Sequence, residues 1–467
     1  MIAAALALFP SAAGTARAAS DAPRTGADLL TALETRRVSL SGATIIGDLD
    51  FRRFDVVKHS FSCRSCTIKG RVLGDDVVFD TTLDLSGAEV SKAILMRRAT
   101  FHGRVLFGRT KGDSGHYSSL AGRADFAFSR FDDLATFLEA SFAADTDFTA
   151  AQFRATSVFA RAWFSNAQRK ASFEQASFGG PADFRETTFE GPVTFEAAKF
   201  EGDADFSDAT FAETAGFFQT KFGHDATFLG ALFTYDGGQT SGVNFGGSTA
   251  ERDFVFDLAQ FSGGAVFRQT VAAGSLSFRE ADLKSDRGKL LVFDSASAQG
   301  LLMDVDGALQ AVQPADRQRA LRLIEAGAKT RGDLGEANDA RFSLEVLKSR
   351  EQPWYRRIPN VVFYRLLAGY FVRPLHPILA LLALLSAFAL LRVLRTSAES
   401  SGFVRRASSA ADRFGHEFLD ALALIAPGGD STGRRIESLA YRLLVVCALI
   451  GLAQSNPTLR EMFDALL

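Results

Sequence analysis

The sequence is poor in the residues that carry most protein chemistry. Its 467 residues include 3 cysteines and 6 histidines. Cys63 and Cys66 form a Cys-x-x-Cys, a spacing open to a redox pair, half a zinc site or a structural link. No second cysteine pair completes a zinc site and no βαβ pattern surrounds it, so a structural thiol or a disulfide is the expectation. His59, His102, His116, His224, His376 and His416 are scattered, none at ligand spacing from another. A Walker loop, a dinucleotide glycine motif, a His-Glu-x-x-His and a nucleophile elbow are all missing from the contexts they require. No catalytic, cofactor-binding or metal-binding residue is therefore assigned, and the chain reads as non-enzymatic. A net charge of -2 gives no whole-chain attraction to a polyanion.

Tyrosine and tryptophan are also scarce, at 6 and 2, whereas phenylalanine numbers 44. The excess is periodic. Phenylalanines stand at Phe126, Phe131, Phe137, Phe142, Phe148, Phe153, Phe159 and Phe164, and again at Phe173, Phe178, Phe184, Phe189, Phe195, Phe200, Phe206, Phe211, Phe217, Phe222, Phe228 and Phe233. Steps of five and six alternate within each run. Two positions before each Phe lies a small or β-branched residue, such as Ala124, Ser129, Thr187 or Val193. Neither a helical nor a simple strand period explains this. Short flat faces joined by tight corners do, with Phe filling an interior and Ala leaving it room. Each buried Phe contributes roughly 2 to 3 kcal/mol, so Phe126, Phe137, Phe148, Phe159, Phe184, Phe195, Phe206, Phe217 and Phe228 are expected as structural core. Stability should add coil by coil, with capped ends.

The pattern resembles the pentapeptide-repeat family, on Ala124-Asp125-Phe126, Ala182-Asp183-Phe184 and Ala204-Asp205-Phe206, with looser copies such as Ala198-Lys199-Phe200. That resemblance implies a mostly β fold, a right-handed quadrilateral β-helix. The departure from a strict five by one residue in every second repeat implies that one corner in two is wider. Some members of the family resemble duplex DNA and occupy the DNA site of topoisomerases, so a DNA mimic is a rival reading. The carboxylates Asp125, Asp147, Asp183, Asp203, Asp205 and Asp208 suit it, but most are expected as solvated face residues, and Arg154, Arg161, Arg169 and Lys170 break the acidic surface.

At the amino end, an apolar run from Ile2 to Phe9 and an Ala-x-Ala pattern at Ala16-Arg17-Ala18-Ala19 read as a secretory signal peptide, although no basic residue precedes Arg17. Thr25 and Asp28 make a capping-box-like pair for a short helix from Gly26 to about Arg36. The inward ladder begins at Ile45 and Phe51, blurs from Val56 to Ser62, and resumes at Ile68, Leu73 and Phe79; Lys111 to Arg123 reads as a protruding loop. Past Phe233 the rhythm weakens and returns at Phe256, Phe261, Phe267 and Phe278. From Pro314 the pattern is helical: Leu321, Ile324 and Ala328 share a face, Gly332 stops that helix, and Asp333 with Glu336 caps a second. The turn looks like a tetratricopeptide-type turn, and the pair should pack on the last coil or on a partner.

Trp354 to Phe371 is aromatic and basic, suited to a membrane interface. Pro374 to Leu394 and Leu439 to Ala453 are apolar enough for two transmembrane helices. Between them, an apolar piece at Phe418 to Ala426 and the turn Pro427-Gly428-Gly429-Asp430 resemble the two-helix pore module of potassium-type channels, with a degenerate pore loop because no run of filter carbonyls like Thr-Val-Gly-Tyr-Gly is present.

These readings divide the chain into a signal peptide (1–19), a cap (20–44), the solenoid (45–304) with a loop at 111–123, a helical hairpin (314–351), an interfacial segment (354–373), a first span (374–395), a connection (396–435) holding the short apolar piece 418–426, a second span (436–455) and a tail (456–467). The functional expectation is a membrane-anchored scaffold at the bacterial inner membrane with a periplasmic solenoid. Its expected partners are the lipid bilayer, an envelope protein and, as a further option, a second copy of the chain, with no nucleic acid and no cofactor. An ion-channel-like protein with a regulatory solenoid is the first alternative and the DNA mimic the second.

Overall fold

The structure is a computed structural model. It describes residues 24–109, 117–165, 168, 170–235, 237, 242–283 and 291–359, together with Leu379, Leu382, Ala383 and Ser386. These residues divide between two compact units, 1–180 and 181–467, each a β-solenoid.

In the first unit the chain places one short parallel strand on each of four sheets per coil, so register partners lie one coil apart in sequence: Phe131 opposite Phe153, Ala135 opposite Ser157, Phe142 opposite Phe164. Successive side chains of a strand point to opposite faces. In the second unit one sheet runs Ala182–Asp183, Ala204–Asp205, Ala226–Thr227, Phe254–Val255, Ser275–Ser277, Gly300–Leu302, again all parallel.

The corners explain the alternating steps. Each five-residue step holds a hydrogen-bonded four-residue turn whose third residue has positive φ, as in Phe126–Ser129, where the Ser129 N–H donates to the Phe126 carbonyl at 3.1 Å and Phe128 has φ 62°. That is the dihedral signature of a type II turn. The same position recurs eleven residues on, at Glu139, Ala150 and Arg161, and in the second unit at Glu186, Ala197, Asp208 and Gln219. A left-handed non-glycine residue costs about 1 to 2 kcal/mol. Here such residues also donate their N–H to the next coil, Phe128 to Thr149 and Glu139 to Ala160. The six-residue steps instead bend openly, as at Asp132–Asp133.

Inside, phenylalanine rings stack along the coil axis and meet edge to face across it. Phe101, Phe131, Phe153 and Phe178 stack at centroid distances of 4.9, 4.6 and 5.0 Å. In the second unit Phe184, Phe206 and Phe228 stack at 4.8 Å, as do Phe195 and Phe217 at 5.0 Å, and the two stacks touch edge to face at 5.2 Å between Phe195 and Phe206. The stacking distance matches the ~4.8 Å spacing of neighbouring strands, so the backbone rise itself sets the ring separation. All nine expected core phenylalanines are at most 4 % exposed. Hydroxyls in the small inward slots bond to carbonyls of the preceding coil, Ser129 to Met96 and Thr220 to Phe195.

Outside, ion pairs climb from coil to coil, such as Arg98 with Asp76 at 2.6 Å and Arg71 with Asp48 at 2.7 Å. Asp84 is the buried member of this group. Burial pushes its carboxyl up, but hydrogen bonds from Ser86 and Arg64 outweigh it and hold the carboxyl below its ordinary value. Asp125, expected as a solvated face residue, is likewise buried, because it accepts from the Ala127 N–H and from Arg123.

The ends are capped. Helix α1 (Gly26–Leu33) is capped by Thr25, whose hydroxyl accepts from the Asp28 N–H at 3.2 Å, and buries Leu29, Leu30 and Leu33. It ends three residues before the expected Arg36. At the other end come α2 (Val305–Ala311), α3 (Arg317–Arg331), α4 (Leu334–Glu351) and α5 (Trp354–Pro359). Gly332 adopts φ 75° and closes α3, and Asp333 accepts from the Glu336 N–H at 3.0 Å to open α4. The hairpin packs on the last strand through glycine: a Cβ on Gly300 would lie 2.5 Å from the Cα of Gly327. Asp316, ahead of α3, accepts the Phe293 N–H at 2.8 Å, satisfying a donor that no further coil reaches.

Two further expectations are corrected, and one helix was not anticipated. Val57 and Phe61 are buried where the ladder was read as blurred, because a short 3-10 turn at Phe51–Arg53 shifts the register. The loop read over 111–123 has given way to a strand by Ser119–Leu120, with Leu120 fully buried. Helix α2, capped by Asp304 on the Gly307 N–H at 2.7 Å, has too short an apolar stripe to be read from sequence. The signal peptide, the second span, most of the interfacial segment and all of the first span except Leu379, Leu382, Ala383 and Ser386 lie outside the described residues. Among the described residues no helix is long and apolar enough to cross a membrane.

Candidate binding groove

The two cysteines sit at a corner of the first unit. Cys63, Arg64, Ser65 and Cys66 form a turn with Ser65 at φ 51°, the Cα atoms of the cysteines are 5.6 Å apart, and the sulfurs are bonded. Both cysteines are fully buried, Cys66 in the small inward slot two residues before Ile68. The disulfide thus clasps one turn of the solenoid. Pro427, Gly428, Gly429 and Asp430 lie outside the described residues. The nine core phenylalanines form the interior and reach no surface.

The open surface of chemical interest lies beside that corner. Thr67, Glu89, Ser119, Ser141 and Trp163 are register partners on successive strands of one sheet, so they form a single outward column. Four rungs at ~4.8 Å make it about 19 Å long. Along its edge runs a ladder in which Glu139 takes Arg109 at 3.1 Å on one carboxylate oxygen and Arg161 at 2.8 Å on the other. The Glu139 side chain is only 10 % exposed, while the two arginines keep 42 % and 49 % of their surface open. Tyr117 and Trp163 are exposed at 56 % and 49 %. Small side chains on the floor between these taller ones leave a groove of about 1140 Å³.

Sequence reasoning missed this group. The one signal available was the outward slot before each inward residue: Trp163 precedes Phe164 as Ser141 precedes Phe142. Arg109 and Glu139 are 30 residues apart across an insertion, a spacing that no repeat period announces.

A second hollow of about 820 Å³ lies in the other unit, between the last coil and α3. Its polar groups serve the cap: Arg268 pairs with Asp294 at 3.3 Å, Arg319 donates to the Ala296 carbonyl at 3.2 Å, and Asp316 holds the Phe293 N–H. Among the described residues no group of His, Cys, Asp and Glu is arranged to hold a metal ion.

Residues 173–219 match the family model described as pentapeptide repeats, 9 copies. No curated protein and no solved structure matches the chain. The segment 173–219 is thus similar to pentapeptide repeats, and the described residues on either side of it form parallel β-solenoid coils as well.

Proposed function

We propose that the protein is a non-enzymatic scaffold that is exported, anchored by its carboxy-terminal apolar segments in the bacterial inner membrane, and presents its solenoid to an envelope partner. The observation that carries this reading is the conversion of outward side chains into fixed ladders. The coils hold Arg109, Glu139 and Arg161 at one edge and Thr67 through Trp163 along one face. A surface whose side chains are positioned by an all-parallel backbone loses little freedom on binding, which favours recognition. The apolar segments 374–395 and 436–455 supply the anchor, and Arg395, Arg405, Arg406, Arg413, Arg434 and Arg435 between them favour a cytoplasmic connection. Reporter fusions after Gly300 and after Ser400 test the arrangement. Phosphatase activity at the first site and a cytoplasmic signal at the second are expected. The reverse pattern refutes it.

A further inference from the structure

We propose that the groove of the first unit is a glycan-binding site, taking a linear, uncharged polysaccharide along the column from Thr67 to Trp163. This names a ligand for the display role above and rests on that role only in treating the solenoid face as a binding surface; export and anchoring do not enter.

The chemistry of the face selects the ligand. Its backbone is fully engaged within the sheet: the Ser119 N–H bonds to Ala88, that of Ser141 to Ser118 and that of Trp163 to Ala140. An extended peptide, which gains affinity by pairing its own amides with a strand edge, finds no such edge here. Recognition must come from side chains alone. The groove offers two exposed aromatic rings, Tyr117 and Trp163, over a floor of hydroxyls and the exposed carboxylate of Glu89, beside the outward N–H donors of Arg109 and Arg161. An aromatic ring provides a flat apolar body for the C–H faces of a sugar. Hydroxyl, carboxylate and guanidinium groups suit the dense donors and acceptors of its edges. Arg109 and Arg161 are offset by the Glu139 they share and by the Glu89 carboxylate of the floor, so the groove lining carries no net charge and does not demand an anion. A β-linked glycan also repeats on a pitch close to the ~5 Å spacing of the rungs, so successive sugars meet successive coils.

The chain contains 2 tryptophans, Trp163 and Trp354, which makes the test direct. Full-length protein carrying Trp354→Phe, in a detergent without a sugar headgroup, is titrated with cellohexaose and with chitohexaose while Trp163 fluorescence is followed. A saturable change with at least one of them is expected. Trp163→Ala, followed by calorimetry, should weaken binding about tenfold or more, equivalent to ~1.4 kcal/mol, and Tyr117→Ala should weaken it in the same direction. Trp163→Phe should restore most of the loss, since it keeps an aromatic face. Phe218→Ala, an exposed ring of the other unit, should change nothing. Far-UV circular dichroism shows that each variant keeps its fold. The proposal is overturned if neither oligosaccharide alters the signal up to millimolar concentration, or if Trp163→Ala binds as tightly as its parent. It is equally overturned if an unfolded polypeptide such as reduced casein, and not the glycans, titrates Trp163. Any of these leaves the topology experiment unaffected, so the two readings fail separately.

Discussion

Replacing Phe206 by alanine removes a ring that is fully buried and sandwiched between Phe184 and Phe228 at 4.8 Å on each side, with Phe195 and Phe217 edge-on at 5.2 and 5.6 Å. Burying a phenylalanine hides about 150 to 250 Å², which at ~25 cal/mol per Å² is roughly 4 to 6 kcal/mol before the retained Cβ is subtracted. Measured Phe to Ala changes in cores fall at about 3 to 5 kcal/mol. We therefore expect about 4 kcal/mol. Stacked coils touch mainly their neighbours, so the loss should be local. Native-state hydrogen exchange on the purified full chain reads this directly. The Asp208 and Phe228 amides, which donate to Leu229 and Val255, should lose protection, and the hairpin amides should lose less. Phe206→Leu should cost less than about 1.5 kcal/mol. Phe218→Ala, at a 37 % exposed ring, should cost about 0.5 kcal/mol or less. A loss below ~1 kcal/mol at Phe206, or one no larger than at Phe218, would refute the claim that stacked rings carry the fold.

Acid should destabilise the first unit through Asp84. Its folded-state value is depressed, so its contribution is present above the unfolded value of ~3.9 and is lost as pH falls below that toward the folded value. Asp84→Asn should flatten this limb of a stability-against-pH curve, and an unchanged limb would show that the Arg64 and Ser86 contacts are not coupled to folding. Gly300→Val places a branched side chain where the Gly327 Cα lies, and should loosen the hairpin from the last coil by about 1 to 3 kcal/mol. Limited proteolysis between α2 and α3 is the readout, and unchanged cleavage would contradict close glycine packing. The Cys63–Cys66 clasp closes a very short loop, worth about 2 kcal/mol in chain-entropy terms. Dithiothreitol should lower the unfolding midpoint of the parent and leave that of the Cys63→Ser, Cys66→Ser variant unmoved; equal responses would exclude a stabilising role.

The interior was legible in the sequence because one constraint repeats. A ring that must point inward at every face produces a phenylalanine at every step, and the steps of five and six announce a tight turn and an open bend in alternation. The caps at Thr25, Gly332 and Asp333 were legible for a similar reason, since each satisfies a backbone group within a few residues of itself. The turn at Phe51–Arg53 and the strand at Ser119 were not, because insertions and short 3-10 turns shift the register without leaving a hydrophobic signature.

The sequence by itself determined the inward half of this protein, because burial forces residue type and each coil repeats the demand. Only the tertiary structure decided the outward half. Solvent accepts almost any side chain there, so nothing in the repeat fixes what neighbours what. The stacking of coils alone brings Arg109, Glu139 and Arg161 onto one edge and sets Trp163 in one column with Thr67, Glu89, Ser119 and Ser141.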